Sequence, residues 1–158
     1  MSYDFSADEI FAMAEQLERN GAQFYRHAAQ QVAEPERKAF LEQLALMEDD
    51  HEKTFAAMRA DLGDSEKGVT TFDPQGEAVL YLKALADTRV FLEKEIDLSS
   101  MELILKAAIE AEKESIVFYL GMKSAVPGAQ GKRRMEAIIK EEMGHIRLLS
   151  QKLARLKS

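Results

Sequence analysis

The chain has 158 residues, no cysteine, and 28 acidic against 21 basic side chains, for a formal charge of −7. That length suits one domain, residues 1–158, with its own core. The missing cysteines exclude disulfides, thiolate-held zinc or iron–sulfur clusters and thiol nucleophiles, and the acidic balance speaks against nucleic acid as a partner.

Only three prolines and eight glycines interrupt the chain, so a mostly helical fold is expected. The N-terminal segment Met1 to Glu9 is acidic and lacks the basic stretch and apolar run of a secretory signal. No run approaches the roughly 18 apolar residues of a membrane span. A cytoplasmic protein with no membrane partner is therefore expected.

In chain order, Ser6-Ala7-Asp8-Glu9 has the form of a capping box, and the first helix runs from it to about Gln31. Glu34-Pro35 restarts the chain, with Pro35 suited to a first helical position, and the second helix runs to about Leu62 before Gly63. Gly68, Pro74 and Gly76 mark a loop, and residues 77–94 form a shorter amphipathic helix. Ser99-Ser100-Met101-Glu102 is a second capping box, opening a third long helix that ends at Pro127-Gly128. A fourth fills about 130–156. No segment alternates with the period of a strand. Short links join the first helix to the second and the third to the fourth, which predicts two antiparallel hairpins. The long connection between them, with its short extra helix, can cross a bundle end to end.

The two hairpins repeat. A shift of 94 residues places Ser6 on Ser100, Ile10 on Ile104, Glu18 on Glu112 and Phe24-Tyr25 on Phe118-Tyr119. The same shift places Glu48 on Glu142, His51 on His145 and Leu62 on Leu156. Amphipathic helices match loosely in apolar type, but nothing in amphipathicity demands Glu, His and Tyr at fixed offsets. Residues 6–62 and 100–156 therefore read as a pseudo-twofold repeat.

Helical spacing then decides where the charged residues point. The apolar stripe of the second helix is Leu41, Leu44, Glu48, His51, Phe55, and that of the fourth is Met135, Ile138, Glu142, His145, Leu149. The third gives Leu105, Ile109, Glu112, Ile116, Tyr119, and the first gives Ala14, Glu18, Gly21, Tyr25, Ala28. Each helix puts one Glu on its core face, and two add a His one turn on. Buried carboxylates must be paired or bind metal, and no Lys or Arg lies on these stripes. Two divalent cations would balance four carboxylates. Oxygen and imidazole donors suit iron or manganese and also tolerate zinc.

Glu48-Asp49-Asp50-His51 and Glu142-Met143-Gly144-His145, with Glu18 and Glu112 on the other two helices, resemble the ligand pattern of ferritin-like di-iron carboxylate proteins. The strings Leu17 to Tyr25 and Glu112 to Tyr119 look most like the rubrerythrin branch, and the resemblance covers about residues 6–156. It implies an all-α, ferritin-like four-helix bundle. It also implies two iron ions, with Glu18 and Glu112 as terminal ligands, Glu48 and Glu142 bridging, and one metal completed by each of His51 and His145. Rubrerythrins proper carry a rubredoxin domain whose iron is held by four Cys; this chain has no Cys.

Tyr25 and Tyr119 stand seven residues beyond Glu18 and Glu112, two turns along the same face. Each either hydrogen-bonds a ligand carboxylate of the opposite hairpin or is a core Tyr satisfied elsewhere. His27 lies on the far side of the first helix and is expected to be exposed. The acidic run Asp49, Asp50, Glu52 reads as a solvated face, with an iron entry path as the lesser alternative.

The expected function is that of a di-iron oxidoreductase, a rubrerythrin-like peroxidase acting in oxidative stress. It would reduce peroxide or dioxygen with electrons from a separate donor protein. A ferroxidase for iron storage or delivery, or a non-catalytic metal-binding bundle, would use the same six ligands. A homo-oligomer is expected, a dimer before larger forms.

Overall fold

A computed structural model describes residues 7–62, 97–126 and 128–157. Four helices account for nearly all of them: α1 (Ala7–Gln30), α2 (Pro35–Ala60), α3 (Met101–Ala125) and α4 (Ala129–Lys157). The short helix expected over 77–94 and the cap at Ser6 lie outside the described residues. Among these there is no strand, and no helix is long and apolar enough to cross a membrane.

The helix ends follow from local chemistry. Pro35 opens α2, where its missing N–H deprives no carbonyl of a partner. At α3 the cap is Ser100 rather than Ser99: its Oγ accepts from the Leu103 N–H at 3.2 Å. Ser99 N–H instead donates to the Asp97 carboxylate at 2.9 Å, and Glu102 pairs forward with Lys106. The turn between α3 and α4 uses Gly128 at φ 82°, a left-handed conformation that glycine adopts without a Cβ clash.

Each helix packs chiefly on its hairpin partner, α1 on α2 and α3 on α4, while α1–α3 and α2–α4 contacts join the hairpins. Arginines clamp the first hairpin from outside. Arg59 near the end of α2 grips Asp8 (2.8 and 3.0 Å) and Glu15 (2.9 Å) near the start of α1. Arg19 pairs with Glu52 at 2.6 Å, and Arg26 pairs with Asp49. Two acids of the run around His51 are thus ion-paired across the hairpin, and only Asp50 is fully exposed.

The apolar interior forms two clusters. One holds Phe11, Leu17, Phe55, Tyr119, Met122, Met135 and Ile138 among others. The second is built around Phe24, Tyr25, Leu41, Leu44, Leu105 and Leu149. Between them lies a polar layer, which is where all four core-facing Glu residues sit.

Candidate metal centre

The six residues singled out by helical spacing converge at mid-bundle. Glu18, Glu48, Glu112, Glu142, His51 and His145 are each at most 4% exposed. Their atoms form two overlapping groups: Glu18, Glu48, His51 and Glu142, and Glu48, Glu112, Glu142 and His145. Within each group one donor atom per residue lies within 4.8 Å of every other. Glu48 and Glu142 belong to both, so they are the two carboxylates that a pair of cations held there would share.

The imidazoles aim Nδ1 inward. His51 Nδ1 lies 2.9 Å from Glu142, 3.6 Å from Glu18 and 3.8 Å from Glu48. His145 Nδ1 lies 3.1 Å from Glu142, 3.4 Å from Glu112 and 3.5 Å from Glu48. The two rings stack, with centroids 5.7 Å apart.

The tyrosines cross between hairpins. Tyr25 donates to Glu112 Oε1 at 2.7 Å and Tyr119 to Glu18 Oε1 at 2.5 Å, a pair that the 94-residue shift interchanges. Burial, and then the charge of the carboxylate each one faces, raises both phenols well above their ordinary value, so they remain donors. Tyr119 leaves the other Glu18 oxygen, Oε2, turned to His51 Nδ1 at 3.6 Å, whereas Glu112 presents its tyrosine-held Oε1 to His145 Nδ1 at 3.4 Å. Glu18 Oε2 is buried with no hydrogen-bond partner among the described residues. His27 is exposed, as its helix face predicts.

Sequence reasoning missed two features. Glu15 is buried but held by Arg59, away from the cluster. Glu141, beside Glu142, reaches the outward Nε2 of His51 at 2.5 Å. The available signal was that Glu141 breaks the repeat, since its counterpart is Met47.

The electrostatics are those of a cluster lacking cations of its own. Burial, and then the Glu142 charge, pushes the Glu18 carboxyl up to about 7. Glu48, Glu112 and Glu142 are raised as well, first by burial and then by a neighbouring carboxylate. Burial by itself would discharge the imidazoles, but the hydrogen bonds they donate to the surrounding carboxylates outweigh it. His145 is pushed up to about 12 and His51 far above its ordinary value. No Lys or Arg is buried among the described residues. Protons on His and Glu therefore carry the neutralising charge that divalent ions would replace. The donor set, its overlap and the unpartnered Glu18 oxygen fit a pair of metal ions.

A four-helix bundle enclosing four carboxylates and two imidazoles in this order defines the ferritin-like di-iron carboxylate class. The rubrerythrin family model matches residues 9–154, and the chain belongs to that family. A crystal structure at 2.30 Å of a protein described as a ferritin-like diiron-carboxylate protein, from Thermotoga maritima, matches with a TM-score of 0.70. The two share 22% identity, with 98% of each chain covered, a likeness that shows the fold. No curated protein matches the sequence.

Replacing Tyr25 with Phe would leave Glu112 free to rotate away from the cluster. Metal affinity is expected to fall about tenfold, the lower end for losing a group that orients a ligand. A competition titration of Tyr25→Phe against a chromophoric chelator measures it. Unchanged affinity and oxidation rate would make Tyr25 a core residue only.

Proposed function

We propose that the chain is a dinuclear iron oxidoreductase that reduces peroxide or dioxygen, with electrons delivered by a separate donor protein. The observation that carries this reading is the pair of overlapping ligand groups sharing Glu48 and Glu142. Shared carboxylates would keep two ions close enough to act on one small oxidant. Two ferrous ions held there would supply one electron each, the two that take peroxide and two protons to two waters.

The chain's own residues prepare that site. Tyr25 and Tyr119 hold the terminal carboxylates in register. The two apolar clusters exclude bulk water along the bundle axis. A cavity of about 10 Å³ touches the site between α1 and α3, lined by Leu17, Gly21, Tyr25, Glu48, Ala111, Glu112 and Ser115. Such a space takes roughly one water-sized molecule, which supports a small oxidant rather than an organic substrate. These 158 residues hold no Cys for a rubredoxin-type iron, which supports a separate electron donor.

The test is an anaerobic ferrous titration of metal-free protein, followed by rapid mixing with peroxide or with dioxygen. Saturation at two irons per chain and oxidation of both ions by one equivalent of peroxide are the expected results. Progressive uptake of many irons per chain with dioxygen would move the reading to iron storage. Binding of two ferrous ions that neither oxidant touches would end the oxidoreductase reading.

Gly21 offers a sharper probe of the cavity. A Cβ placed there lies 3.6 Å from Glu48, ordinary contact that displaces nothing but fills space beside the carboxylate. Gly21→Ala is expected to raise stability by about 0.5–1 kcal/mol, the helix-propensity gain of Ala over Gly. It is expected to slow oxidation severalfold while two irons still bind. An oxidation rate equal to wild type would show that the oxidant arrives by another route.

A further inference from the structure

The two halves of the centre are related by the repeat, yet their outward histidine nitrogens differ. His51 Nε2 meets Glu141 Oε2 at 2.5 Å, whereas His145 Nε2 is buried with no hydrogen-bond partner among the described residues. The repeat explains the difference: the residue preceding the α4 Glu ligand is Glu141, while the one preceding the α2 Glu ligand is Met47. Met47 is half-buried against the apolar cluster around Leu41 and offers no acceptor there. We infer that the two metal positions are unequal, and that Glu141 makes the His51 position the tighter one, filled first.

The physical argument concerns the ring as a ligand. A histidine that binds metal through Nδ1 keeps its proton on Nε2. A carboxylate accepting that proton fixes the ring's orientation and makes Nδ1 a stronger donor. Glu141 does this for His51 from an open groove between α2 and α4, lined also by Asp50, Thr54, Arg134, Ala137 and Ile138. At His145 the same N–H meets no acceptor among the described residues, and a buried N–H without an acceptor is a penalty that position carries. The remaining ligands do not offset the difference, because Glu48 and Glu142 are common to both positions and Glu18 and Glu112 each have a tyrosine partner. Glu141 touches no reacting atom in this scheme; it is a positioning residue.

The inference rests on the dinuclear reading, and the test separates the two. Zinc is added to the metal-free protein at one equivalent per chain, and ¹⁵N-histidine spectra report which ring has bound. In the wild type the His51 signals are expected to shift and those of His145 to stay. In Glu141→Met, which copies the other half of the repeat, the order is expected to vanish and the first zinc to bind about 10–100-fold more weakly. Glu141→Gln, which keeps an acceptor without the charge, should fall between. Equal filling of both rings in the wild type, or an order unchanged in Glu141→Met, overturns the inference and leaves the dinuclear site standing. Failure of zinc to bind either ring overturns both.

Discussion

Metal-free protein is expected to lose stability steadily as pH rises from about 5 to 8, and metal-loaded protein is expected not to. The Glu18 carboxyl stands at about 7 in the folded chain against an ordinary 4.5, and the other three buried carboxyls are raised in the same sense. His51 and His145 are raised too. Every one of these groups holds its proton more tightly folded than unfolded. Stability then falls with pH wherever the unfolded chain has released a proton that the native chain keeps. For the carboxyls that window opens near 4.5, and for the imidazoles near 6.5.

Glu18 by itself accounts for about 3 kcal/mol across its shift, at 1.36 kcal/mol per unit. In a domain of this size that is roughly 6–12 °C of melting temperature. Bound cations take the place of the protons, so the loaded protein has no such slope. The gap between the two forms should widen with pH. Melting curves of both forms at half-unit steps from pH 5 to 8.5 measure it. A metal-free melting temperature that is flat or rises over that range would show that the cluster titrates as an ordinary surface does.

Why the site was legible in the sequence, while its surroundings were less so, has a physical basis. A buried carboxylate on a helical stripe violates the usual partition of charge, and four such violations with matching spacing admit few explanations. Glu18, Glu48, Glu112 and Glu142 could therefore be placed from periodicity, and the structure brings them together with His51 and His145. The tyrosines were undecided, because spacing puts a side chain on a face but does not say where its hydroxyl ends. Their partners depend on the antiparallel register of α1 against α3, set only by packing.

Glu141 was passed over for a different reason, its break in the repeat notwithstanding. It is about 100° around α4 from Glu142, on a face that reads as solvent, and its side chain is 62% exposed. Its role comes from the approach of α2, which brings the far side of the His51 ring within reach. The same holds for Arg59, which joins Asp8 and Glu15 only because the hairpin folds its distal ends together. The Ser100 cap shows a smaller limit: Ser99 and Ser100 both precede an acceptable pattern, and the Asp97 turn decides between them.

The double variant Glu48→Gln/Glu142→Gln is expected to bind no metal while folding more stably than metal-free wild type at pH 8. Each proposed cation has four protein ligands, and two of the four are these shared carboxylates. Neutralising both leaves one carboxylate and one imidazole per ion, too little charge and too few donors to hold a divalent cation against water. Ferrous binding should fall from two per chain to none at micromolar protein. Glutamine keeps the volume, so the polar layer is not emptied into a cavity. It also removes two buried carboxyls that are raised by burial and then by neighbouring carboxylates, Glu18 ahead of Glu142 for Glu48 and Glu112 for Glu142. Without them the imidazoles lose their main reason to stay charged, and the pH slope of the metal-free protein should shrink. The variant thus reports on one physical trade: the carboxylates destabilise the empty bundle and are retained for what they bind. A variant that still takes up two ferrous ions would place the metals elsewhere. One that melts lower than wild type at pH 8 would show that the four carboxylates are mutually satisfied without any cation.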